Sequence, residues 1–219
     1  MSDPWTLEEV DVDGAIQEAA EKVDGGTRLA FLKKAGIGAG AVMMGGGVAA
    51  ALPSLARAGT PASDVAILNF ALTLEYLEAA FYKEAVQYAG KFDAKTAHFA
   101  RVVAKHEAAH VAFLKSALGS AAVKKPRFDF KGSNHSTAKF RATSQVLEDT
   151  GVAAYSGQGG HIKSKAILGA AVSILTVEAR HASWMRTLRG IDGAPLGFDK
   201  ALSKAQILAA VKATGFIVG

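Results

Sequence analysis

One short phrase occurs twice in this chain, Glu107-Ala-Ala-His110 and Glu178-Ala-Arg-His181, each inside a long helical stretch. Residues three apart on an α-helix are offset by about 60° and lie one turn apart, so each phrase puts a carboxylate and an imidazole on one face. Upstream of each phrase a Glu is followed seven residues later by a Tyr, Glu75 with Tyr82 and Glu148 with Tyr155. Seven residues is about two turns, so each Glu shares a stripe with its Tyr. The spacing from Glu to Glu is 32 residues in the first half and 30 in the second. The order Glu…Tyr, E-x-x-H, Glu…Tyr, E-x-x-H is therefore an internal repeat of a helical hairpin. After Gly59 there are six Glu and all six His. Random placement would produce roughly 0.2 E-x-x-H phrases there, so two of them inside a repeat point to a shared role.

The helices that carry the repeat can be read from apolar periodicity and punctuation. Between Asp64 and Ala89, Ile67, Ala71, Leu74, Leu77, Phe81, Tyr82 and Ala85 recur at intervals of about three and four, with no Pro or Gly until Gly90. Asp93 is placed to cap a second helix that runs to about Leu118, before Gly119. So short a joint makes the first two helices antiparallel neighbours. The stretch Gly119 to His135, with Pro126 and Gly132, is long enough to cross from one end of a bundle to the other. Ser136 or Thr137 caps a third helix expected to end before Gly157-Gln158-Gly159-Gly160, and a fourth is expected from about His161 to Arg189. Ser203 caps a last short helix with Ile207, Leu208 and Val211. The expected fold class is all-α: two antiparallel hairpins joined by one long crossover, with a short C-terminal helix.

Composition divides the chain at about residue 58. With 219 residues and 50% hydrophobic content there is material for one substantial core plus an extension. Residues 1–26 carry eight acids against Lys22 alone, a net charge of −7, whereas residues 59–219 carry 20 Lys and Arg against 12 Asp and Glu. The bases are scattered without interleaved aromatics, so no nucleic-acid partner is expected. The absence of Cys excludes disulfides, thiolate metal sites and cysteine catalysis. Thr27-Arg28-Leu29-Ala30-Phe31-Leu32-Lys33 resembles the twin-arginine export consensus, with Leu29 in place of the second Arg. There follow 22 uncharged residues, Ala35 to Ala56, only mildly hydrophobic and Gly-rich in the middle, and then Ala56-Arg57-Ala58 as a cleavage site. The expectation is an acidic extension and export signal over residues 1–58 and a helical domain over residues 59–219. The destination is periplasmic or extracellular, with a membrane-anchored uncleaved form or a cytoplasmic protein as the other readings.

Residues 63 to about 190 resemble the ferritin-like superfamily, and Asn69-Phe-Ala-Leu-Thr-Leu-Glu-Tyr-Leu-Glu-Ala-Ala-Phe-Tyr82 is similar to the desiccation-related ferritin-like family. The resemblance implies that Glu75, Glu107, His110, Glu148, Glu178 and His181 ligate two metals, with Glu107 and Glu178 bridging. Four carboxylates and two imidazoles suit two Fe ions, with Mn or a mixed Fe/Mn pair as the alternative, and disfavour Ca or Mg. The implied chemistry is ferroxidase or peroxidase activity on O₂ or H₂O₂, in iron, oxidative or desiccation stress. A manganese catalase or a non-catalytic, protective metal-binding protein would use much the same ligands, and a homo-oligomer is compatible with all of these.

The residues around the repeat admit several roles. Tyr82 and Tyr155 are candidates to hydrogen-bond to a ligand on the opposite helix, or to supply an electron. Glu78 lies one turn from both Glu75 and Tyr82 and is an additional carboxylate, an iron-entry residue or a polar residue at the bundle edge. Glu84 reads as solvated surface, His98, His135 and His161 as surface or capping residues, and Trp184 and Met185 as core. Reading one residue earlier, His106-Glu107-Ala-Ala-His110 is the H-E-x-x-H phrase of zinc proteases. That reading leaves Glu75, Glu148, Glu178 and His181 without a role and finds Val177 where a second copy would need His, so His106 becomes a flanking residue beside the ligands.

Overall fold

Residues 60–218 are described by a computed structural model of the chain. The acidic stretch 1–26, the export-like phrase, the uncharged run and the cleavage site all lie outside the described residues. Five α-helices follow in order: α1 Ala62–Gln87, α2 Ala94–Leu118, α3 Thr137–Gly159, α4 Lys165–Leu188 and α5 Lys204–Thr214, with single 3₁₀ turns at Ala89–Lys91 and Gly119–Ala121. The first four pair as two antiparallel hairpins, α1 with α2 and α3 with α4, and α5 lies against α3. Among the described residues the only β-type pairing is an isolated bridge between Phe128 and Ile217, which fastens the crossover to the C-terminal tail.

The helix starts follow their caps. At α2, Asp93 accepts from Thr96 N at 3.1 Å and from the Thr96 hydroxyl at 2.7 Å. At α5, Ser203 and Gln206 form a reciprocal capping box. Arg141 of α3 donates to Asp93, to the Thr96 hydroxyl and to the Leu188 carbonyl, so one guanidinium ties α3 to the start of α2 and the end of α4.

Two boundaries differ from expectation. The third helix does not stop before Gly157 but continues to Gly159. The Leu202 backbone presses on it there: its N–H donates to the Ala153 carbonyl at 3.1 Å, and its carbonyl oxygen lies 1.9 Å from where a Cβ on Gly157 would sit. The glycine thus serves a close approach inside the helix rather than a stop. The fourth helix starts at Lys165 rather than His161, because Ser164 caps it by accepting from Ile167 N. Asp64, fully buried at the start of α1, takes the N–H groups of Lys163 and Ser164 at 3.1 and 2.8 Å. A carboxylate nearly 100 residues away in sequence thereby satisfies donors ahead of α4.

The core is split into two apolar clusters. One gathers Leu77, Phe81, Val103, Phe99, Phe140, Met185 and Ile207; the other gathers Leu72, Tyr76, Leu114, Leu118, Ile167 and Ile174. Along α2 the clusters exchange on passing Glu107, and along α4 on passing Glu178. The polar residues of the repeat therefore form a layer across the middle of the bundle, with hydrocarbon above and below. Phe81, Tyr82, Phe99 and Phe140 are each fully buried, and the first and last stack with ring centroids 5.6 Å apart. Removing such side chains from water stabilises a fold by roughly 2–3 kcal/mol each. That gain offsets the cost of placing charged groups between the clusters.

Candidate metal centre

Each of the four long helices delivers one carboxylate to this layer, and α2 and α4 add an imidazole one turn later. Glu75, Glu107, Glu148 and Glu178 have no solvent exposure, and His181 has 2%. The donor atoms fall into two groups, each within 4.8 Å: Glu75, Glu107, His110 and Glu178, and Glu107, Glu148, Glu178 and His181. Glu107 and Glu178 belong to both, whereas Glu75 with His110, and Glu148 with His181, belong to one each.

Both imidazoles turn Nδ1 inward. His110 Nδ1 lies 3.3 Å from Glu75 Oε2, 3.2 Å from Glu107 Oε2 and 3.0 Å from Glu178 Oε1. His181 Nδ1 lies 3.3 Å from Glu107 Oε1, 3.2 Å from Glu148 Oε2 and 3.6 Å from Glu178 Oε2. The hydroxyls of the two tyrosines close the outer sides of the unshared carboxylates. Tyr155 donates to Glu75 Oε1 at 2.6 Å, and Tyr82 donates to Glu148 Oε1 while lying against the Ser144 hydroxyl. Each tyrosine reaches from its own hairpin to the other.

Burial without enough neutralising charge perturbs these groups strongly. Burial pushes Glu75 up to about 8 against the pull of His110. It also raises Glu148 and Glu78 well above the carboxylate range, and lifts both tyrosines with help from Glu148 and Glu75. Glu107 goes the other way: burial opposes its ionisation, but His110 and His181 together hold it at about 2. Burial lowers the imidazoles, yet the carboxylates facing them prevail, raising His181 to about 12 and raising His110 as well. Glu75 Oε2, Glu107 Oε1, Glu148 Oε2, both Glu178 oxygens and His181 Nδ1 are buried without a hydrogen-bond partner. Orphaned polar atoms of this kind cost about 1–3 kcal/mol each. Hard oxygens gathered with two imidazole nitrogens, five of the oxygens and one of the nitrogens lacking a hydrogen-bond partner, fit a pair of transition-metal cations.

The flanking residues sort as follows. His106 does not join His110 in a common donor group; its Nδ1 lies 2.8 Å from His181 Nε2, and the two rings stack with centroids 5.1 Å apart. It thus fixes which nitrogen His181 presents to the carboxylates. The H-E-x-x-H spelling contained this residue, but nothing in one helix's spacing pointed to a partner on α4. Glu78 is 3% exposed. His98 sits against Trp184, His135 against Tyr88 and Glu84, and exposed His161 also lies outside the donor groups. Met185 is fully buried and Trp184 packs on the core.

A four-helix bundle with one crossover, holding four carboxylates and two imidazoles in its middle layer, defines the class of ferritin-like carboxylate proteins. Residues 63–190 match the family model described as ferritin-like domain, and the chain belongs to that family. No curated protein matches the chain.

Proposed function

We propose that this chain holds two transition-metal ions, iron foremost, between Glu75 and His110 on one side and Glu148 and His181 on the other, with Glu107 and Glu178 shared. The observation that carries this reading is the pair of overlapping four-donor groups. Four carboxylates balance two divalent cations, which removes the electrostatic cost of the layer. When bound, two Fe(II) ions would supply two electrons, one each, which with two protons from solvent suffice to reduce one H₂O₂ to two waters or to begin the reduction of O₂. The protein's own part is to orient and to seal. Tyr82 and Tyr155 hold the unshared carboxylates, His106 holds His181, and the apolar clusters keep bulk water from the layer.

Metal analysis of purified protein, with aerobic Fe(II) oxidation and peroxide consumption, tests this against Glu107→Ala and His181→Ala. Two metals per chain, lost in both variants, are expected; unchanged metal content in both would refute the assignment. Two bound metals without turnover would make the protein a non-catalytic metal carrier. Peroxide consumption by the manganese form alone would make it a catalase.

We also propose export in the folded, metal-loaded state, supported by the Thr27–Lys33 phrase and the Ala35–Ala56 run. A mature chain beginning near Gly59 outside the cytoplasm is expected, and a soluble cytosolic protein beginning at Met1 would sink the idea. The similarity of Asn69–Tyr82 to the desiccation-related family supports a protective role, and the mass in solution tests assembly into oligomers.

A further inference from the structure

The two halves of the repeat are not equal around the site. One turn after Glu75, α1 carries Glu78; one turn after Glu148, the corresponding position on α3 is Gly151. A Cβ on Gly151 would lie 3.3 Å from Glu78 Oε1, 3.7 Å from its Oε2 and 3.6 Å from Glu178 Oε2. The missing side chain on α3 therefore provides the room that the Glu78 carboxyl occupies, and the same spot is bordered by an oxygen of a shared carboxylate. Glu78 is 3% exposed and makes no hydrogen bond or ion pair within the described residues. Outside it lies a small pocket of about 30 Å³ lined by Leu74, Leu77, Val146, Leu147, Thr150 and Val211, among others. Its walls come from α1, α3 and α5, and Glu78 is the only carboxylate facing it. Glu78 stands outside both four-donor groups, with its carboxyl between this gap in the bundle and the orphaned Oε2 of Glu178.

We propose that Glu78 is a seventh protein ligand, serving the metal on the His181 side of the centre and taking up the ion as it passes between α1, α3 and α5. The inference rests on the two-metal reading above. It makes the two metal positions inequivalent: the His110 position has only the repeated ligands, whereas the His181 position has Glu78 beside Gly151, and its imidazole donates from Nε2 to His106 Nδ1. A divalent transition-metal ion on the His181 side gains a further oxygen donor, and the pocket gives that side chain space to move.

Titration of the metal-free full chain with Co(II), followed by visible absorption, separates the two equivalents. Wild type is expected to bind two. Glu78→Gln keeps the shape and removes the donor charge, and should weaken one equivalent about tenfold or more while leaving the other within twofold. Gly151→Ala should act the same way by crowding the Glu78 carboxyl, and Glu84→Gln, on the same helix at the surface, should change neither. If Glu78→Gln does not fold, by circular dichroism, Gly151→Ala decides by the same criterion. Two unaltered affinities in the folded variant overturn the role of Glu78. Fewer than two Co(II) bound by wild type overturns the two-metal reading itself, so the failures are distinct.

Discussion

Stripping the metal from the purified protein should leave a bundle whose stability falls as the pH rises. Glu75 titrates at about 8 in the folded chain against an ordinary 4.5, so the native state keeps a proton that the unfolded chain has released. Its contribution is complete below 4.5 and is lost as the pH rises through about 8. His181 stands at about 12 against 6.5, and its contribution is complete below 6.5 and is lost progressively above it. Both therefore erode stability together between pH 6.5 and 8. Each extra native proton is worth about 1.4 kcal/mol per pH unit, so the pair removes roughly 2–3 kcal/mol per unit. For a domain of this size that is a fall in Tm of roughly 5–10 °C per unit. His110, Glu78 and Glu148 shift in the same sense and steepen the slope. Glu107, held at about 2, acts only in acid, where its contribution is lost as the pH falls below 4.5. Thermal unfolding with chelator present at pH 6.5, 7.0, 7.5 and 8.0 measures the slope. With metal present the slope flattens, because binding displaces those protons, and the gain in Tm over the metal-free protein grows with pH. A metal-free Tm that is flat or rises across this window would refute the picture of an over-acidic layer neutralised by protons.

Three further outcomes follow from single contacts. Tyr155→Phe strips Glu75 Oε1 of its donor and should cost the metal-free protein about 1–3 kcal/mol in urea denaturation; no measurable loss would mean that the bond contributes nothing. His106→Ala should weaken Co(II) binding about 10–100-fold at one position and spare the other, since only His181 leans on it; equal weakening of both equivalents would contradict the asymmetry. Gly157→Ala drives a Cβ into the Leu202 carbonyl and should cost about 1–3 kcal/mol. Gly159→Ala, with open space around it, should be neutral or stabilising by up to about 1 kcal/mol, so a pair of similar Tm values would argue against the close approach.

The layer of carboxylates and imidazoles was legible because its order is local: E-x-x-H and Glu…Tyr are helix-face patterns, and their repetition needs no knowledge of packing. Asp93 and Ser203 were legible as caps for the same reason. The tyrosine bonds across the hairpins were also anticipated; what escaped were other features decided by residues far apart in sequence. Gly157 read as a stop because glycine usually breaks a helix, yet its neighbour in space is the Leu202 backbone. The start of α4 was misplaced because Asp64, on another helix, supplies acceptors there. His106 was recognised as flanking, but its partner His181 lies 75 residues on. Gly151 drew no notice at all, since only the position of Glu78 across the helix interface reveals its use.

The tyrosine bonds carry an implication about how such a centre can be assembled. Tyr82 of α1 bonds to Glu148 of α3, and Tyr155 of α3 bonds to Glu75 of α1. His110 of α2 faces Glu178 of α4, and His181 of α4 faces Glu107 of α2. No donor group is complete within one hairpin, so the middle layer has the form of a two-fold interface between two halves of one chain. A single hairpin with the repeated residues, paired with a second copy of itself, would contain the same six donors. The crossover is then a tether that holds two half-sites at high local concentration, and the strength of the centre resides in the seam between them.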